Sequence, residues 1–486
     1  MEWHQLLSGK RVREIYHPGE PSFTGGGSPD ARSEFEKDYG RVTFSTALRR
    51  LQDKAQVFPL EPNDAVRTRL THSLEVSNVA TSIANQIGSE LFNRQEITQD
   101  QKRDMAAIAA TCGLIHDLGN PPFGHAGEVA ICDWFKQHQE RLFQFGNPAD
   151  SDTEQYRQDF LRFDGNPQTF RIVTRLQLLN DEFGLNFTAG TLSALRKYTA
   201  PSDRVIDDRD RKKVRHSMSK VGHFASEQTL VEDIRQLTGT NAARNPIAAM
   251  VEAADDAVYS TVDVEDAIKK GVVTWDHFSR EVRQLYEGTG NNLLHQCLNR
   301  AEETANRSTI RDRHFRDADE ARTQVFRTLV ISHVVESVSR CFIDNREAIM
   351  SGGYDRELVA ECDASALVKA CKRYARDHVF PTEPILRLEV RGRRVIQDLL
   401  TLFWDAIESE DKLARPKSFE LKVYRLLSVN HRKVFKGEFD REGEKVFFNV
   451  DGLPKTYRKL QLITDYVCGM TDTFACTLHK ELWNGA

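Results

Sequence analysis

Four side chains of this sequence have the chemistry of metal ligands: His72, the adjacent pair His116 and Asp117, and Asp255. Imidazole nitrogen and carboxylate oxygen together suit Mn²⁺, Mg²⁺, Fe²⁺ or Zn²⁺, and the set contains no thiolate. Each residue alone has an ordinary alternative, because a single histidine on a helix is usually exposed or hydrogen-bonded. The pair His116 and Asp117, however, ends an almost wholly apolar segment, where unpartnered ionisable groups would be costly to bury. The four side chains therefore predict a metal site.

Three predicted helices must position these side chains. The first spans residues 71–87 and carries a broad apolar stripe on one face. The second spans residues 105–118, is apolar nearly all round and ends at a Gly-Asn-Pro-Pro turn. The third begins with Pro246, since proline is favoured at the first helical position. Helical bundles build metal sites from helix ends and facing helical positions, so this arrangement supports the ligand set.

The remaining chain also shows mainly helical patterns. Residues 1–40, rich in Gly, Pro and Ser, predict an extended N-terminal arm. Residues 41–280 form the expected core around the candidate ligands, interrupted by a polar surface excursion at 137–167. Residues 281–486 predict a helical C-terminal region with one β-hairpin near 433–450, where a glycine-containing turn separates two β-favouring runs. We expect an all-α protein with a minor β element.

Composition narrows the function classes. The formal charge of -5 is small for 486 residues, so no global field attracts nucleic acid or acidic lipid, and local basic groups must hold any anionic substrate. No run of 18 uncharged apolar residues occurs, and the N-terminus lacks the apolar core of a signal peptide, so we expect no membrane span and no secretion. The eight cysteines show no CxxC pair, which favours a reducing cytoplasm.

Four segments are specific enough to compare with a known family. They are RVTFSTALRRLQDKAQVFPL at 41–60, VRTRLTHSLEVSNVA at 66–80, GLIHDLGNPPFGHAGEVAI at 113–131 and EAADDAVYSTVDVEDA at 252–267. In order and separation they resemble bacterial deoxyguanosinetriphosphate triphosphohydrolases of the HD-domain superfamily, over roughly residues 32 to 270. This resemblance is more specific than the bare His…His-Asp…Asp pattern that many phosphodiesterases share. It implies a helical HD domain with His72, His116, Asp117 and Asp255 as the metal ligands.

The resemblance also implies a catalytic pair, His125 and Glu128, beside the scissile phosphate. Their i, i+3 spacing places both on one helix face, so the carboxylate can orient the imidazole. A histidine held in this way can steer or deprotonate an attacking water. The alternative is that His125 only caps or packs near the Pro-Pro turn.

Two further residues are implied to bind the phosphates, and a third, Asn120, is a candidate for substrate binding. Arg69 resembles a residue that contacts the α-phosphate, and the planar guanidinium suits phosphate oxygens; the alternative is a solvated charge at the start of a helix. Lys220, in SKVGHFASE, resembles a lysine that contacts the phosphate tail over a shorter match. Asn120 stands beside the metal pair and either binds substrate or only caps the helix.

Recognition of the sugar is implied for Tyr259, Asp263 and Gln56. Tyr259 and Asp263 follow Asp255 at intervals of four and eight, so they project from one side of a continuing helix. Gln56, in KAQVFPL, resembles a glutamine that shares the 3′-hydroxyl with that aspartate. A core position for Tyr259 and a helix-surface position for Asp263 are the ordinary alternatives. Asp256 is expected to be a surface acid or a neighbour of the ligands.

The implied reaction is attack of water on the α-phosphorus, which releases the deoxynucleoside and intact triphosphate. One divalent metal ion is implied, with Mn²⁺ or Mg²⁺ favoured over Co²⁺, Fe²⁺, Zn²⁺ or Ni²⁺, and dGTP is the favoured substrate. Family resemblance also implies a homo-oligomer, with a hexamer favoured, and single-stranded DNA as an effector. The basic run at 207–216 could touch phosphates but is more often simply solvated.

Three alternatives remain at this stage: a dNTPase of broad specificity, a phosphodiesterase of another nucleotide, and a non-catalytic HD protein that binds nucleotide or single-stranded DNA. Degenerate enzymes usually lose metal ligands, and all four are present here, so the last alternative ranks lowest.

Overall fold

The protein is described by a computed structural model that covers residues 1–19, 30–60, 63–145, 151–177, 182–206, 215–287, 291–307, 315–441, 444–447 and 452–483. Helices dominate the fold, which confirms the expected all-α class. The first twelve are α1 Trp3–Leu6, α2 Val12–Tyr16, α3 Glu34–Thr43, α4 Thr46–Arg50, α5 Arg69–Asn93, α6 Gln99–Ile115, α7 Gly124–Leu142, α8 Ser151–Leu161, α9 Gly165–Arg171, α10 Ala189–Leu195, α11 Gln228–Thr238 and α12 Pro246–Lys269. The others are α13 Trp275–Tyr286, α14 Leu293–Arg307, α15 Phe315–Asp344, α16 Arg346–Met350, α17 Leu358–Glu361, α18 Ser365–Tyr374, α19 Glu383–Glu408, α20 Glu410–Ala414, α21 Phe419–Leu426, α22 Val429–Lys436, α23 Lys455–Cys468 and α24 Asp472–Trp483.

The helices that carry the candidate ligands begin at capping residues. The Oγ1 atom of Thr98 accepts the backbone N–H of Gln101, which starts α6, and Asn245 accepts the N–H of Ile247 at 2.9 Å, with proline in the first turn of α12. Close packing then aligns α5 with α6. A Cβ on Gly113 would lie 2.8 Å from the Cα of Ser77, so only glycine permits this approach.

Two large apolar clusters organise the molecule. The first runs from Trp3 to Ile385 and contains the buried faces of α5, α6, α12, α15 and α18, so it crosses the expected boundary near residue 280. The second combines α7 and α8 with α19, α23 and α24, and includes Trp134 and Phe403. The candidate ligands lie on helices of the first cluster. Helix α7, which begins soon after His116 and Asp117, lies in the second cluster. The C-terminal helices α19 and α23 therefore pack against α7, the helix that carries His125.

The β structure is small. Strands β1 Ala200–Pro201 and β2 Val221–His223 pair in parallel, and β3 Glu438–Arg441 pairs antiparallel with β4 Glu444–Phe447. The second pair confirms the expected hairpin, and its turn at 442–443 lies outside the described residues. Of the basic run at 207–216, residues 207–214 also lie outside them.

The N-terminal segment differs from the expected extended arm. Residues 1–19 form α1 and α2, in which Trp3, Leu6 and Val12 are buried. Arg11 is 2% exposed and bonds Asp38 at 2.8 Å, which ties this segment to α3. The prediction of an arm rested on the Gly-, Pro- and Ser-rich stretch at 18–30 and did not weigh the apolar residues before it. Residues 20–29 lie outside the described part of the chain.

The polar segment 137–167 also differs from a simple surface excursion. It includes the end of α7, all of α8 and the start of α9, and residues 146–150 are not described. Its last residues reach the candidate site, because a Cβ on Gly165 would lie 2.1 Å from Oδ1 of Asn120. None of the described helices combines the length and apolar character that crossing a membrane requires. All eight cysteines are described, and all are free thiols.

Candidate active site

Three helices bring the predicted metal ligands together: ligand atoms of His72, His116 and Asp117 lie within 4.8 Å of one another, and Asp255 lies close to both imidazoles. His72 lies in the first turn of α5, His116 ends α6 and precedes Asp117, and Asp255 lies in the middle of α12. Nε2 of His72 is 3.2 Å from Oδ1 of Asp255, and Nε2 of His116 is 3.6 Å from the same oxygen. Oδ1 of Asp117 is also 3.6 Å from Nε2 of His116. Two imidazoles and two carboxylates therefore surround one space.

The hydrogen bonding of this cluster fits a divalent metal ion. Nδ1 of His116 donates to the carbonyl of Gly113 at 2.7 Å, which leaves the lone pair on Nε2, and Nε2 has no hydrogen-bond partner among the described residues. Nδ1 of His72 lacks a partner there as well, although His72 is 1% exposed. Buried polar atoms are rarely left unpaired. A histidine whose second nitrogen donates to a carbonyl is the usual arrangement at metal centres.

A second group of possible ligands, His216, Glu252 and Glu357, fits a metal less well. Arg244 already bonds Glu252 at 2.5 Å, and Nζ of Lys197 lies 3.4 Å from it. These two cations supply the positive charge that a metal ion would bring. Burial lowers the pKa of Lys197, but Glu252 opposes this effect and raises it well above the usual value, so the lysine stays charged.

Arg69 and Asn120 both contact Asp117. Nη1 of Arg69 donates to Oδ2 of Asp117, and Nδ2 of Asn120 donates to Oδ1 at 2.7 Å. Burial raises the pKa of Asp117, but the Arg69 guanidinium and the neighbouring imidazoles hold it below its usual value. Gly124 allows Arg69 to approach, since a Cβ there would lie 2.5 Å from Nη2. Asp117 is therefore held ionised and in one orientation.

His125 and Glu128 form a hydrogen-bonded pair on the first turns of α7. Nδ1 of His125 donates to Oε2 of Glu128 at 3.0 Å, and Oε1 of Glu128 accepts the backbone N–H of Gly165 at 2.8 Å. The bond to Glu128 raises the pKa of His125. The imidazole is 83% exposed and is not one of the residues that converge on the ligand cluster. Its Nε2 therefore faces solvent, where a water can bind.

Lys220 lies beside Asp164, with Nζ 3.3 Å from Oδ2 and 6.0 Å from the ring centre of Tyr198. Asp164 raises the pKa of Lys220. The side chain is half exposed and does not belong to the lining of the cleft beside the ligands. Lys220 lines a different pocket together with Arg162 and Asp164, and Asp164 links it to the cleft by accepting the N–H of Asn166, so the structure does not bring Lys220 to the ligand cluster.

Asp263 and Gln56 present buried oxygens without partners. Asp263 lies two helical turns beyond Asp255 on α12 and is 1% exposed. Neither of its carboxylate oxygens has a hydrogen-bond partner among the described residues, and the same is true of Oε1 of Gln56. Burial, reinforced by Asp266 and Asp255, raises the pKa of Asp263 well above its usual value. A helix-surface position for Asp263 is therefore excluded.

Tyr259 lies between Asp255 and Asp263 on α12. Its ring centre is 6.4 Å from that of Phe380, and Nζ of Lys372 lies 5.9 Å from the ring. The same lysine bonds Asp256 at 2.5 Å. Asp256 therefore has a cation as its partner and is not part of the ligand cluster, in agreement with the ordinary interpretation of this residue.

A cleft opens beside the ligand cluster. It is lined by Cys112, His116, Asp117, Asn120, Asn166, Thr169, Ala194, Leu195, Lys197, Ala248, Val251, Glu252 and Asp255. Sequence reasoning missed Thr169, Lys197 and Glu252. Glu252 could have been found, because it precedes Asp255 by three and shares its helix face. Thr169 bonds the backbone of Gly119 at 2.8 Å across 50 residues of sequence, and no local pattern predicts such a contact.

Comparison with known proteins agrees with this geometry. The HD domain family matches residues 69–149. A deoxyguanosinetriphosphate triphosphohydrolase-like protein of Listeria monocytogenes is 32% identical, and one of Synechocystis sp. is 33% identical, each over 99% of both chains. A deoxyguanosinetriphosphate triphosphohydrolase of Enterobacter sp. is 32% identical over 92% of this chain and 93% of its own. The similarity thus extends well beyond the matched domain, through the C-terminal helices.

Proposed function

The chain belongs to the deoxyguanosinetriphosphate triphosphohydrolase family of HD-domain proteins, and we propose that it hydrolyses dGTP in preference to other deoxynucleoside triphosphates. Family membership makes it a hydrolase that splits a deoxynucleoside triphosphate into deoxynucleoside and triphosphate. The HD domain implies a divalent metal ion. The preference for dGTP rests on the relatives, and hydrolysis is supported by the convergence of the candidate ligand side chains from three helices beside a cleft.

We assign His72, His116, Asp117 and Asp255 as the ligands of one Mn²⁺ or Mg²⁺ ion. Mixed nitrogen and oxygen ligands suit both ions and also Co²⁺, Fe²⁺, Zn²⁺ and Ni²⁺. A bound ion would polarise the α-phosphate.

Arg69, Lys197 and Lys220 provide the positive charge for the phosphates. Arg69 is 8% exposed, lies against Asp117 and has an Nε without a partner among the described residues, so it can turn a second face of its fork toward the α-phosphate. Lys197 lines the cleft, and Lys220 lies beside it, in positions that suit the remaining phosphates. Asn120 orients Asp117, because its Nδ2 donates to the Asp117 carboxylate. We therefore favour this role over direct substrate binding.

His125 and Glu128 position the attacking water. The carboxylate of Glu128 accepts a hydrogen bond from the Nδ1–H of His125. The lone pair therefore lies on Nε2, which can accept a proton from water. Gly165 fixes the other oxygen of Glu128, so the pair is held from two sides. The bond from Oε2 to the imidazole also stabilises the positive charge that His125 acquires when it takes the proton.

Asp263 and Gln56 bind the 3′-hydroxyl, and Tyr259 packs against the sugar between them. The buried Asp263 carboxylate, which has no partner among the described residues, can accept the hydroxyl proton, and the Gln56 amide nitrogen can donate to the hydroxyl oxygen, so this ligand would offset part of the cost of burying the carboxylate. We further propose that the enzyme acts in the cytoplasm as a homo-oligomer, favoured as a hexamer, and that single-stranded DNA is a possible effector. A phosphodiesterase with two metal ions is disfavoured because the His125 imidazole is 83% exposed and belongs to neither group of possible metal ligands among the described residues.

Separate incubation with each of the four dNTPs, in Mn²⁺ or Mg²⁺, tests this function. We expect dGTP to react fastest and anion-exchange chromatography to show deoxyguanosine and triphosphate from the first time points. An Asp117→Ala variant should give neither product. Release of dGDP and phosphate, or of dGMP and pyrophosphate, would contradict the proposed cleavage, and equal rates with all four dNTPs would contradict the base preference.

A further inference from the structure

Asp472, the first residue of α24, bonds two backbone segments that belong to the candidate site. Its side chain is 1% exposed. Oδ2 accepts the N–H of Ala55 at 3.0 Å, and Oδ1 accepts the N–H of Phe123 at 2.9 Å. One carboxylate therefore joins two segments that lie 417 and 349 residues away in sequence.

The first of these segments carries Gln56. Ala55 forms an antiparallel bridge with Thr68, and the carbonyl of Lys54 accepts the N–H of Arg69 at 2.9 Å. These contacts attach the segment to the start of α5, the helix of His72. The N–H of Ala55 is thus held in place next to the residue proposed to bind the 3′-hydroxyl.

The second segment begins the helix of His125. Phe123 has φ +63°, a left-handed conformation that is unusual for a residue with a side chain. Its ring packs so closely on Gly392 of α19 that a Cβ there would lie 2.5 Å from the Phe123 ring. The bond from Asp472 fixes the N–H of Phe123, and α7 starts at the next residue.

Two further contacts join the same places. Nζ of Lys54 donates to the carbonyl of Asn120 at 2.5 Å and to the carbonyl of Cys468 at 3.0 Å. Sγ of Cys468 donates to the carbonyl of Gly119 at 3.0 Å. Residues 468–472, from the last residue of α23 to the first residue of α24, therefore contact both active-site segments. We call these five residues the C-terminal bracket.

We propose that Asp472, with the C-terminal bracket around it, is a positioning residue that sets the separation between the sugar-binding segment at Gln56 and the water-binding helix of His125. The inference rests on the proposed function, in which these two residues act on opposite ends of one deoxyribose 5′-phosphate. Because that ligand has a fixed length, the two segments must stay in register. Asp472 acts through backbone N–H groups and touches neither substrate nor metal.

Asp472→Asn tests this role, since it keeps the shape but replaces one accepting oxygen by an NH₂ that cannot accept an N–H. We expect kcat/KM for dGTP to fall by roughly 10- to 100-fold, the scale of a misplaced reacting group. For 2′,3′-dideoxy-GTP, which cannot use the 3′-hydroxyl contact, kcat/KM should fall much less. The dGTP to dideoxy-GTP ratio should therefore shrink, with bound metal unchanged. Asp363→Asn is the matched control, because this aspartate is 72% exposed and its carboxylate accepts a bond from Arg340 of α15, so the substitution should leave the ratio unchanged.

Asp263→Ala separates failure of this inference from failure of the proposed function. If Asp263→Ala shrinks the ratio and Asp472→Asn does not, the positioning role is overturned and sugar recognition stands. If neither substitution changes the ratio, sugar recognition fails and the inference fails with it. An equal loss for both substrates, in proportion to the folded fraction, would make Asp472 merely structural. Should Asp472→Asn not fold, Cys468→Ala removes a single contact of the bracket, and an unchanged ratio in that variant overturns the proposal.

Discussion

At the scale of single residues, the buried polar atoms without partners explain most about the site. Nδ1 of His72, Nε2 of His116, Oε1 of Gln56 and both carboxylate oxygens of Asp263 have no hydrogen-bond partner among the described residues. Folded proteins pair nearly all such atoms, so groups left unpaired are expected where a ligand binds. All four residues come from segments that resemble the family.

The proposed ligands and the proposed base should respond differently to truncation. We expect His116→Ala and Asp117→Ala to abolish both metal binding and activity. His125→Ala should retain metal and lower kcat by roughly 10²- to 10⁴-fold, the usual contribution of general acid–base catalysis. Metal content by elemental analysis, measured with turnover, distinguishes the two classes. Loss of metal from His125→Ala would make it a ligand and would revive the two-metal phosphodiesterase.

Asp263 should lower stability while it supports activity. Its folded-state pKa lies well above the unfolded value of about 3.9, so the folded chain retains a proton that the unfolded chain has released. This group's contribution to the free energy of unfolding therefore falls as pH rises above about 4 toward the folded pKa. In metal-free protein at pH 8, Asp263→Asn should raise that free energy by about 1–3 kcal/mol.

Urea unfolding at pH 5, 6.5 and 8 measures this effect, and kcat/KM for dGTP should fall in the same variant. Glu265→Gln is the matched control on the same helix, because burial of Glu265 is outweighed by ion pairs with Arg67 at 2.9 Å and Arg327 at 2.7 Å, which lower its pKa, so its substitution should destabilise the fold. An Asp263→Asn variant less stable than wild type at pH 8 would mean that the carboxylate is paired in solution.

At the scale of helices and turns, the sequence predicted the parts that depend on local pattern. Apolar periodicity located α5 and α12, and the Gly-Asn-Pro-Pro turn located the end of α6, so the helices of His72, His116 and Asp255 were predictable. The contacts that bring these helices together were not. Thr169 bonds Gly119 across 50 residues of sequence, and Asp472 bonds Ala55 across 417. Contacts at such sequence separations produce no local pattern from which they could be predicted.

The turn before α7 should tolerate no side chain at Gly124. This residue has φ +58°, and a Cβ would lie 2.5 Å from Nη2 of Arg69. Gly124→Ala should cost about 1–2 kcal/mol in stability from the left-handed backbone. It should also lower kcat/KM by more than roughly tenfold, because Arg69 must move away from Asp117.

Thermal unfolding and steady-state kinetics test this prediction together. Gly40→Ala is the control, since Gly40 lies within α3 and a Cβ there approaches only a flexible end of Arg32 at 3.7 Å. That variant should be as stable as wild type or more stable by about 0.5–1 kcal/mol. Full activity in Gly124→Ala would show that the position of Arg69 is not limited by this turn.

At the scale of the whole molecule, several large apolar side chains remain exposed on the single chain. Phe44 is 82% exposed, Val390 72% and Phe419 65%. Exposed apolar side chains form a subunit interface where they lie in one patch, and we propose that subunit contacts cover them in an oligomer. We expect light scattering to give a multiple of the 55.5 kDa chain mass, with six copies favoured. A stable monomer at micromolar concentration would contradict the oligomer.

The central claim is that water, positioned by His125 and Glu128, attacks the α-phosphorus of a deoxynucleoside triphosphate. Hydrolysis of dGTP in water enriched in ¹⁸O, followed by mass spectrometry of both products, tests it most directly. If the α-phosphorus is attacked, the P–O bond to the 5′-oxygen breaks, and one ¹⁸O atom appears in triphosphate while deoxyguanosine stays unlabelled. Label in deoxyguanosine, which requires attack at the 5′-carbon, or label in free phosphate or pyrophosphate, would contradict the mechanism.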